Sequence, residues 1–510
     1  MARSRRYRWL LPALTVLLVL LIAGLAIARP GGGHSYSGGS RSSGSSSHSS
    51  SSSGSHSGGG GGGDGGVLVE LLIVLIIEHP SIGIPLLILI VLGMIVRAAV
   101  QRGMKAWSTT TATDVAQVQK TTRQSSAPRK QLEQLKSVDP EFSLVLFEDF
   151  VYMLYAAVHR SRAIGTGPLA AYLEPNLAAS LSNPALADVQ GIVIGALRYV
   201  SCDGPGASGV QVGLEIEANF VELGKNGQQQ RYYTVDRLVL TRSATAKSRP
   251  FARASKLDCP NCGAPLEAMR GAECSYCRQQ VGFGRFDWMV AALDNQSREL
   301  RGPLLTSDVA ETGTDLPTIA DSGAPLRFQE LQQRDPSTTW QTLTGRMAHV
   351  FGELQGAWSA RDPLRIRPFV SDNLFQTMLY WIDLYIASRC RNVTENARIL
   401  RIDLANVTSD KYYDAVTVRM FATSVDYTIG DDGKLLSGHR SRPRTYSEYW
   451  TWIRGTSRRG GTRGDTNCPN CGAQLRIGMA GTCEYCRVKV TAGEFDWVLS
   501  RIEQDDSYTG

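Results

Sequence analysis

The sequence predicts an α+β chain built as two tandem copies of one module, each a set of helices followed by a curved antiparallel sheet and a small four-cysteine zinc ribbon. Three observations predict it. A block of paired cysteines occurs twice at a fixed separation. The stretch before each block changes from helical to alternating apolar spacing. The first hundred residues hold two apolar runs around a Gly/Ser tract, which places a membrane region ahead of the modules.

Cys259-Pro-Asn-Cys262 and Cys274-Ser-Tyr-Cys277 stand eleven residues apart, and Cys468-Pro-Asn-Cys471 with Cys483-Glu-Tyr-Cys486 repeats the arrangement 209 positions on. Phe286-Asp287-Trp288 and Phe495-Asp496-Trp497 keep that offset beyond the cysteines, so the block is a duplication. Two Cys-x-x-Cys pairs a short loop apart set four thiolates around one tetrahedral Zn²⁺ and leave no open coordination position, so two structural ions are expected. Gly263 and Gly472 supply the permissive backbone that turns knuckle N–H groups toward sulfur. Two disulfides per block, or a redox pair, are the competing readings; paired short spacing written twice favours zinc. Cys202 and Cys390 lack partner spacing and read as small buried apolar residues.

At the N-terminus, Arg3, Arg5, Arg6 and Arg8 precede an apolar run over 10–28 that ends in Ala26-Ile27-Ala28, a small-residue cleavage site. Residues 1–28 therefore read as a signal peptide or, left uncut, a signal anchor. Residues 29–66 are almost all Gly and Ser with scattered His34, His48 and His56, too polar to fold and expected to be disordered. Weak metal chelation by these histidines is the alternative. Within the hydrophobic region 67–100 a transmembrane helix is expected over 82–100, with Arg97 at one interface and Glu78 and His79 at the other. Glu70 reads as a membrane-surface residue rather than an intramembrane carboxylate. The linker 101–136 is basic: from Arg97 to Lys130 seven Lys and Arg residues face the single acid Asp114, which puts this flank and the thiols in the reducing cytoplasm and the Gly/Ser tract outside. The formal charge of +7 is modest for 510 residues and does not imply nucleic acid.

In the modules, Leu144, Phe147, Val151, Leu154, Tyr155 and Val158 follow helical spacing after Asp139-Pro140. Trp340, Leu343, Met347, Val350, Phe351 and Leu354 match them 196 positions on, after Asp335-Pro336. Val210, Val212, Leu214, Ile216, Ala218 and Phe220 then alternate up to the turn at Gly224-Lys225-Asn226-Gly227. Val416, Val418, Met420 and Ala422 do the same before Gly430-Asp431-Asp432-Gly433, and further strands are expected over 231–242 and 445–454. Helices first and a meander second make an α+β unit. The expected boundaries are a first helix-and-sheet domain at 137–256, a ribbon at 257–300, a linker at 301–334, a second domain at 335–456 and a second ribbon at 465–505.

Four stretches of the second copy carry a resemblance: Gly356-Ala357-Trp358-Ser359-Ala360-Arg361-Asp362-Pro363-Leu364, Pro368-Phe369-Val370-Ser371-Asp372-Asn373-Leu374, Val393-Thr394-Glu395-Asn396-Ala397-Arg398-Ile399-Leu400 and Glu448-Tyr449-Trp450-Thr451-Trp452-Ile453-Arg454. From about Trp340 to Arg454 the chain resembles the Tim44-like family, the C-terminal domain family of the mitochondrial import tether; the first copy fits it only loosely. The resemblance implies a fold similar to nuclear transport factor two, with helices capping a curved four-stranded sheet around an apolar pocket. It also implies peripheral membrane binding and protein tethering, and brings no catalytic residues.

That pocket would be lined by Trp358, Trp381, Val418 and Met420, at positions where such side chains also serve as plain core. Asp426 keeps the parity of the inward face and could act as a base at the pocket mouth; a solvated strand-end carboxylate is the plainer reading. Arg440, Arg442 and Arg444 alternate and would share a strand face, and Arg454, Arg458, Arg459 and Arg463 would extend a basic rim toward the second ribbon. Anionic lipid headgroups suit such a rim. A solvated edge that discourages strand pairing explains the same residues. No Walker loop, dinucleotide motif, nucleophile elbow or His-Glu-x-x-His helix is present, so a nucleotide or hydrolytic enzyme is not expected, and neither is DNA. The expectation is a non-enzymatic tether, integral to the cell membrane and facing the cytoplasm, that binds a protein or an anionic lipid. A small-molecule or enzymatic pocket module is the alternative, and RNA binding a weaker one.

Overall fold

The computed structural model describes residues 127–254, 256–300, 313–461 and 467–510, and in it each module has one 21-residue helix with a side-chain cap. The expected signal segment, Gly/Ser tract and 82–100 helix lie outside the described residues. Ser143, in extended conformation, accepts the Leu146 amide and starts α1 (Leu144–Ile164), whose end is set by Gly165 at φ +97°. The predicted stripe of Phe147, Val151, Leu154, Tyr155 and Val158 is buried. Helix α2 (Pro175–Leu181) follows, with the Glu174 carboxylate accepting the amides of Asn176 and Leu177. Strands β1 (Leu186–Gly206), β2 (Gly209–Gly224) and β3 (Gln229–Arg242) form an antiparallel meander, and Val210, Val212, Leu214, Ile216 and Ala218 of β2 join the stripe of α1 in one core. Burying each Val, Leu, Ile or Phe among them contributes about 1.5–3 kcal/mol, so the two-residue period of β2 and the helical period of α1 specify each other.

The chain then leaves the sheet for the first ribbon and returns as β4 (Met289–Leu300), antiparallel to β3, giving the order β1-β2-β3-β4. This differs from the expected boundaries. Residues 289–300, assigned from sequence to the ribbon, complete the sheet, so the ribbon is an insertion between the third and fourth strands.

The second module repeats the plan. Helix α3 (Ala324–Arg334) precedes α4 (Trp340–Ala360), whose Thr339 cap accepts the Thr342 amide, and α5 (Asp372–Ala387). Strands β5 (Cys390–Ser409), β6 (Tyr413–Gly430) and β7 (Leu435–Gly455) are joined after the second ribbon by β8 (Val498–Gln504), which pairs antiparallel with β7. The sheet order is β8-β7-β6-β5. In both modules the segment entering the later helix makes a parallel bridge to the fourth strand, Leu173 to Val290 and Val370 to Leu499.

Both expected linkers are in part structured. Phe328 and Leu331 of α3 lie in the second core, while residues 127–133 are helical and Leu132 and Leu135 enter the first. Strand β6 is buried on both faces. Its inner face meets the helices. Its outer face is covered partly by the other module, where Val145 and Leu146 of α1 pack on Ala415, Ile453 and Val498. Arg419, on that face, reaches the carbonyls of Gly313 and Leu316 and pairs with Asp505 at 3.0 Å. Polar residues that alternation assigns to solvent are thus buried.

Candidate metal centres

Each ribbon brings four sulfurs together: Cys259, Cys262, Cys274 and Cys277 in the first, Cys468, Cys471, Cys483 and Cys486 in the second, with all ligand atoms of a set within 4.8 Å of one another. The Sγ–Sγ separations are 3.9 Å for Cys259–Cys277, 3.8 Å for Cys262–Cys274 and 3.7 Å for Cys468–Cys486. A tetrahedron with metal–sulfur bonds of about 2.3 Å has edges of about 3.8 Å, so the donor set fits one metal ion per ribbon. All ten cysteines are free thiols, and Cys202 and Cys390 are buried as expected.

Local backbone builds each knuckle. The Gly263 amide turns back to the Cys259 carbonyl and Gly472 to Cys468, both at 2.9 Å, with φ of +82° and +76°. In the second knuckle of each ribbon Arg278 and Arg487 take the same left-handed turn at φ +54° and +63°. The amide side chains of Asn261 and Asn470, inside the first knuckles, favour the thiolates of Cys277 and Cys486 and hold these thiols down to about 6, while burial pushes the Cys259 thiol up to about 12. Sequence reasoning passed over these two asparagines, although their shared 209-residue offset marks them.

The ribbons are fastened to their sheets by charge. In the first, Arg249 pairs with Asp258 and Asp287, each at 2.7 Å, and the Tyr172 hydroxyl donates to the Asp258 carbonyl at 2.6 Å. In the second, Arg367 donates to the Met479 carbonyl at 2.8 Å and pairs with Asp372, which also takes Lys489 at 2.6 Å. Below each ribbon a buried triad recurs. Arg242 pairs with Asp139 at 2.9 Å and lies 5.1 Å over Trp288; Arg454 pairs with Asp335 at 3.0 Å and lies 4.7 Å over Trp497. A cross-strand amide–carboxylate bond also repeats, Asn295 to Asp236 at 2.7 Å and Gln504 to Glu448 at 3.1 Å.

The remaining expected site residues do not gather. Trp358, Trp381, Val418 and Met420 are buried together in the second core. Asp426 is neither at a pocket mouth nor solvated: it is buried and accepts the Asn392 amide at 2.7 Å, while Trp358 donates to the Asn392 carbonyl oxygen at 2.8 Å. Arg440 and Arg442 are exposed and Arg444 half-buried, but the ladder breaks there, since Val425 pairs with Pro443 and Tyr427 with Gly438. The four residues between bulge out opposite Asp426, so the three arginines share no regular strand face. Arg454 leaves the proposed rim for its buried triad, Arg458 donates to the Phe495 carbonyl at 2.7 Å, and Arg463 lies outside the described residues.

The fold and these centres define a class: an α+β protein of two helix-on-sheet modules, each with a four-thiolate ribbon spliced in before its last strand. Residues 326–462, from α3 to the connection leading into the second ribbon, match the model of the Tim44-like domain family. The second module is a Tim44-like domain, as the four stretches quoted from it imply. Comparison with curated proteins returns no match. Among the described residues no helix is long and apolar enough to cross a membrane.

Proposed function

We propose that the chain is a membrane-anchored, non-enzymatic tether that holds a protein or lipid partner at the cytoplasmic face of the cell membrane, in protein transport or membrane assembly. The observation that carries this reading is the Tim44-like domain at 326–462, in a chain whose first hundred residues read as membrane-inserting. Each ribbon holds one Zn²⁺ in this reading. Metal binding worth about 10–16 kcal/mol supplies folding energy that a segment of ribbon size cannot draw from a core of its own. Because each ribbon sits between the third and fourth strands, the metal also pins the last strand to its sheet. The contact of α1 on β6 and β8, with Arg501 paired to Glu148 at 3.0 Å, supports a connector in which the two modules move as one block.

Alkaline carbonate extraction tests the anchor. The full chain should stay with the membrane pellet and a variant lacking residues 1–100 should be released; thiol labelling in intact cells should leave the ribbon cysteines unreacted. Extraction of the full chain, or labelling of the ribbons from outside, contradicts the reading.

A further inference from the structure

Between the end of β3 and the first ribbon lies a cleft of about 630 Å³, within the range that holds small organic ligands. One wall is the connection 243–250; the other is the ribbon, at Pro260–Asn261 and Arg285–Phe286. Four cations line it, Lys247, Arg249, Arg253 and Arg285, and no carboxylate does.

Two of these charges are neutralised. Arg249 is held by Asp258 and Asp287, and Arg253 pairs with Asp258 at 3.1 Å while donating to the Cys259 carbonyl at 2.9 Å. Lys247 and Arg285 are the surplus. The Lys247 ammonium donates to the Val138 carbonyl at 2.7 Å, a neutral acceptor that leaves its charge and two of its three hydrogens unused. Arg285 is exposed and its guanidinium has no hydrogen-bond or ion-pair partner among the described residues. Ser243 and Thr245 hydroxyls stand 3.1 Å apart, so one hydrogen bridges them and the other can be donated outward.

The duplication shows that Arg285 is not demanded by the ribbon. Its counterpart 209 positions on is Glu494, of opposite charge, in a ribbon with the same four-sulfur geometry. The scaffold therefore accepts either sign at this position, and the ribbon fold does not account for the cation.

A guanidinium fork, an ammonium and a hydroxyl lining one cleft suit the three peripheral oxygens of a phosphate monoester. Pro250 and Phe286 offer apolar surface to the body that carries it. We propose that this cleft binds a small organic phosphate monoester, with the phosphate group between Arg285 and Lys247. The site lies outside the Tim44-like segment and does not depend on the tether reading.

The test is calorimetric titration of phenyl phosphate into the full chain in nanodiscs of phosphatidylcholine, with zinc content confirming that each variant keeps its ribbons. Wild type should bind, Arg285→Glu should bind at least tenfold more weakly, and Lys247→Ala, at an exposed side chain, severalfold more weakly. Discs containing phosphatidic acid distinguish the source of the monoester: weaker phenyl phosphate binding there assigns the cleft to the lipid headgroup, and unchanged binding assigns it to a soluble ester. Absence of binding by wild type, or binding by both variants equal to wild type, overturns the proposal.

Discussion

Arg454 and Asp335 form an ion pair at 3.0 Å with both side chains almost wholly buried, linking the end of β7 to the residue that closes α3. The same pair occurs in the first module as Arg242 and Asp139. Removing one partner of such a pair leaves an uncompensated buried charge, at a cost of about 3–5 kcal/mol. Asp335→Ala should lower stability by that amount, measured as the denaturation midpoint of the full chain followed by tryptophan fluorescence. Asp335→Ala combined with Arg454→Met should cost less than Asp335→Ala by itself.

The contact between modules should depend on pH through Asp149. Burial, with Glu148 and Asp372 nearby, pushes this carboxyl up to about 7, and Asn373 donates to it at 2.6 Å. The unfolded chain loses this proton near pH 4, so between about 4 and 7 the folded state holds more protons and stability falls as pH rises. Asp149→Asn removes that slope. Its melting temperature should gain on wild type progressively from pH 4 to 7 and keep a constant advantage above; a difference independent of pH would count against this assignment.

The two ribbons should differ in tolerance at their knuckle glycines. Both Gly263 and Gly472 have positive φ, so alanine costs roughly 1–2 kcal/mol at either. A Cβ on Gly263 would also lie 3.0 Å from the Arg253 guanidinium carbon, whereas nothing lies within 4 Å of one on Gly472. Chelator competition should therefore show Gly263→Ala weakening metal retention more than Gly472→Ala does.

Asn470→Ala should weaken metal binding in the second ribbon about 10- to 100-fold, because its amide side chain favours the Cys486 thiolate. The same chelator assay reads it, and Asn470→Asp, which places a carboxylate beside that thiolate, should be at least as damaging.

Much of the fold is legible in the residues because the two copies can be read against each other. The stripes of α1 and α4, the alternation of β2 and β6, and both cysteine sets follow from spacing. What escapes has physical causes. Strand β8 is seven residues long, and its partner β7 lies on the far side of the ribbon, so nothing local announces the pairing. Arg419 and Arg454 are charged and therefore read as surface; only the acids that reach them, Asp505 and Asp335, make burial tolerable. Arg440 and Arg442 alternate on paper, but the bulge opposite Asp426 undoes the face they would share. Asp426 keeps its inward parity and still forms no pocket mouth, because Asn392 and Trp358 meet it within the core.

Elemental analysis of the purified full chain tests the central claim, that each module is closed by a four-thiolate metal centre set between its third and fourth strands. Two zinc ions per chain are expected for wild type and one for Cys468→Ser with Cys471→Ser. In that variant Trp497, carried by the ribbon's exit into β8, should lose its near-ultraviolet circular dichroism signal. A chain without zinc, or a variant that keeps both ions, would contradict the account.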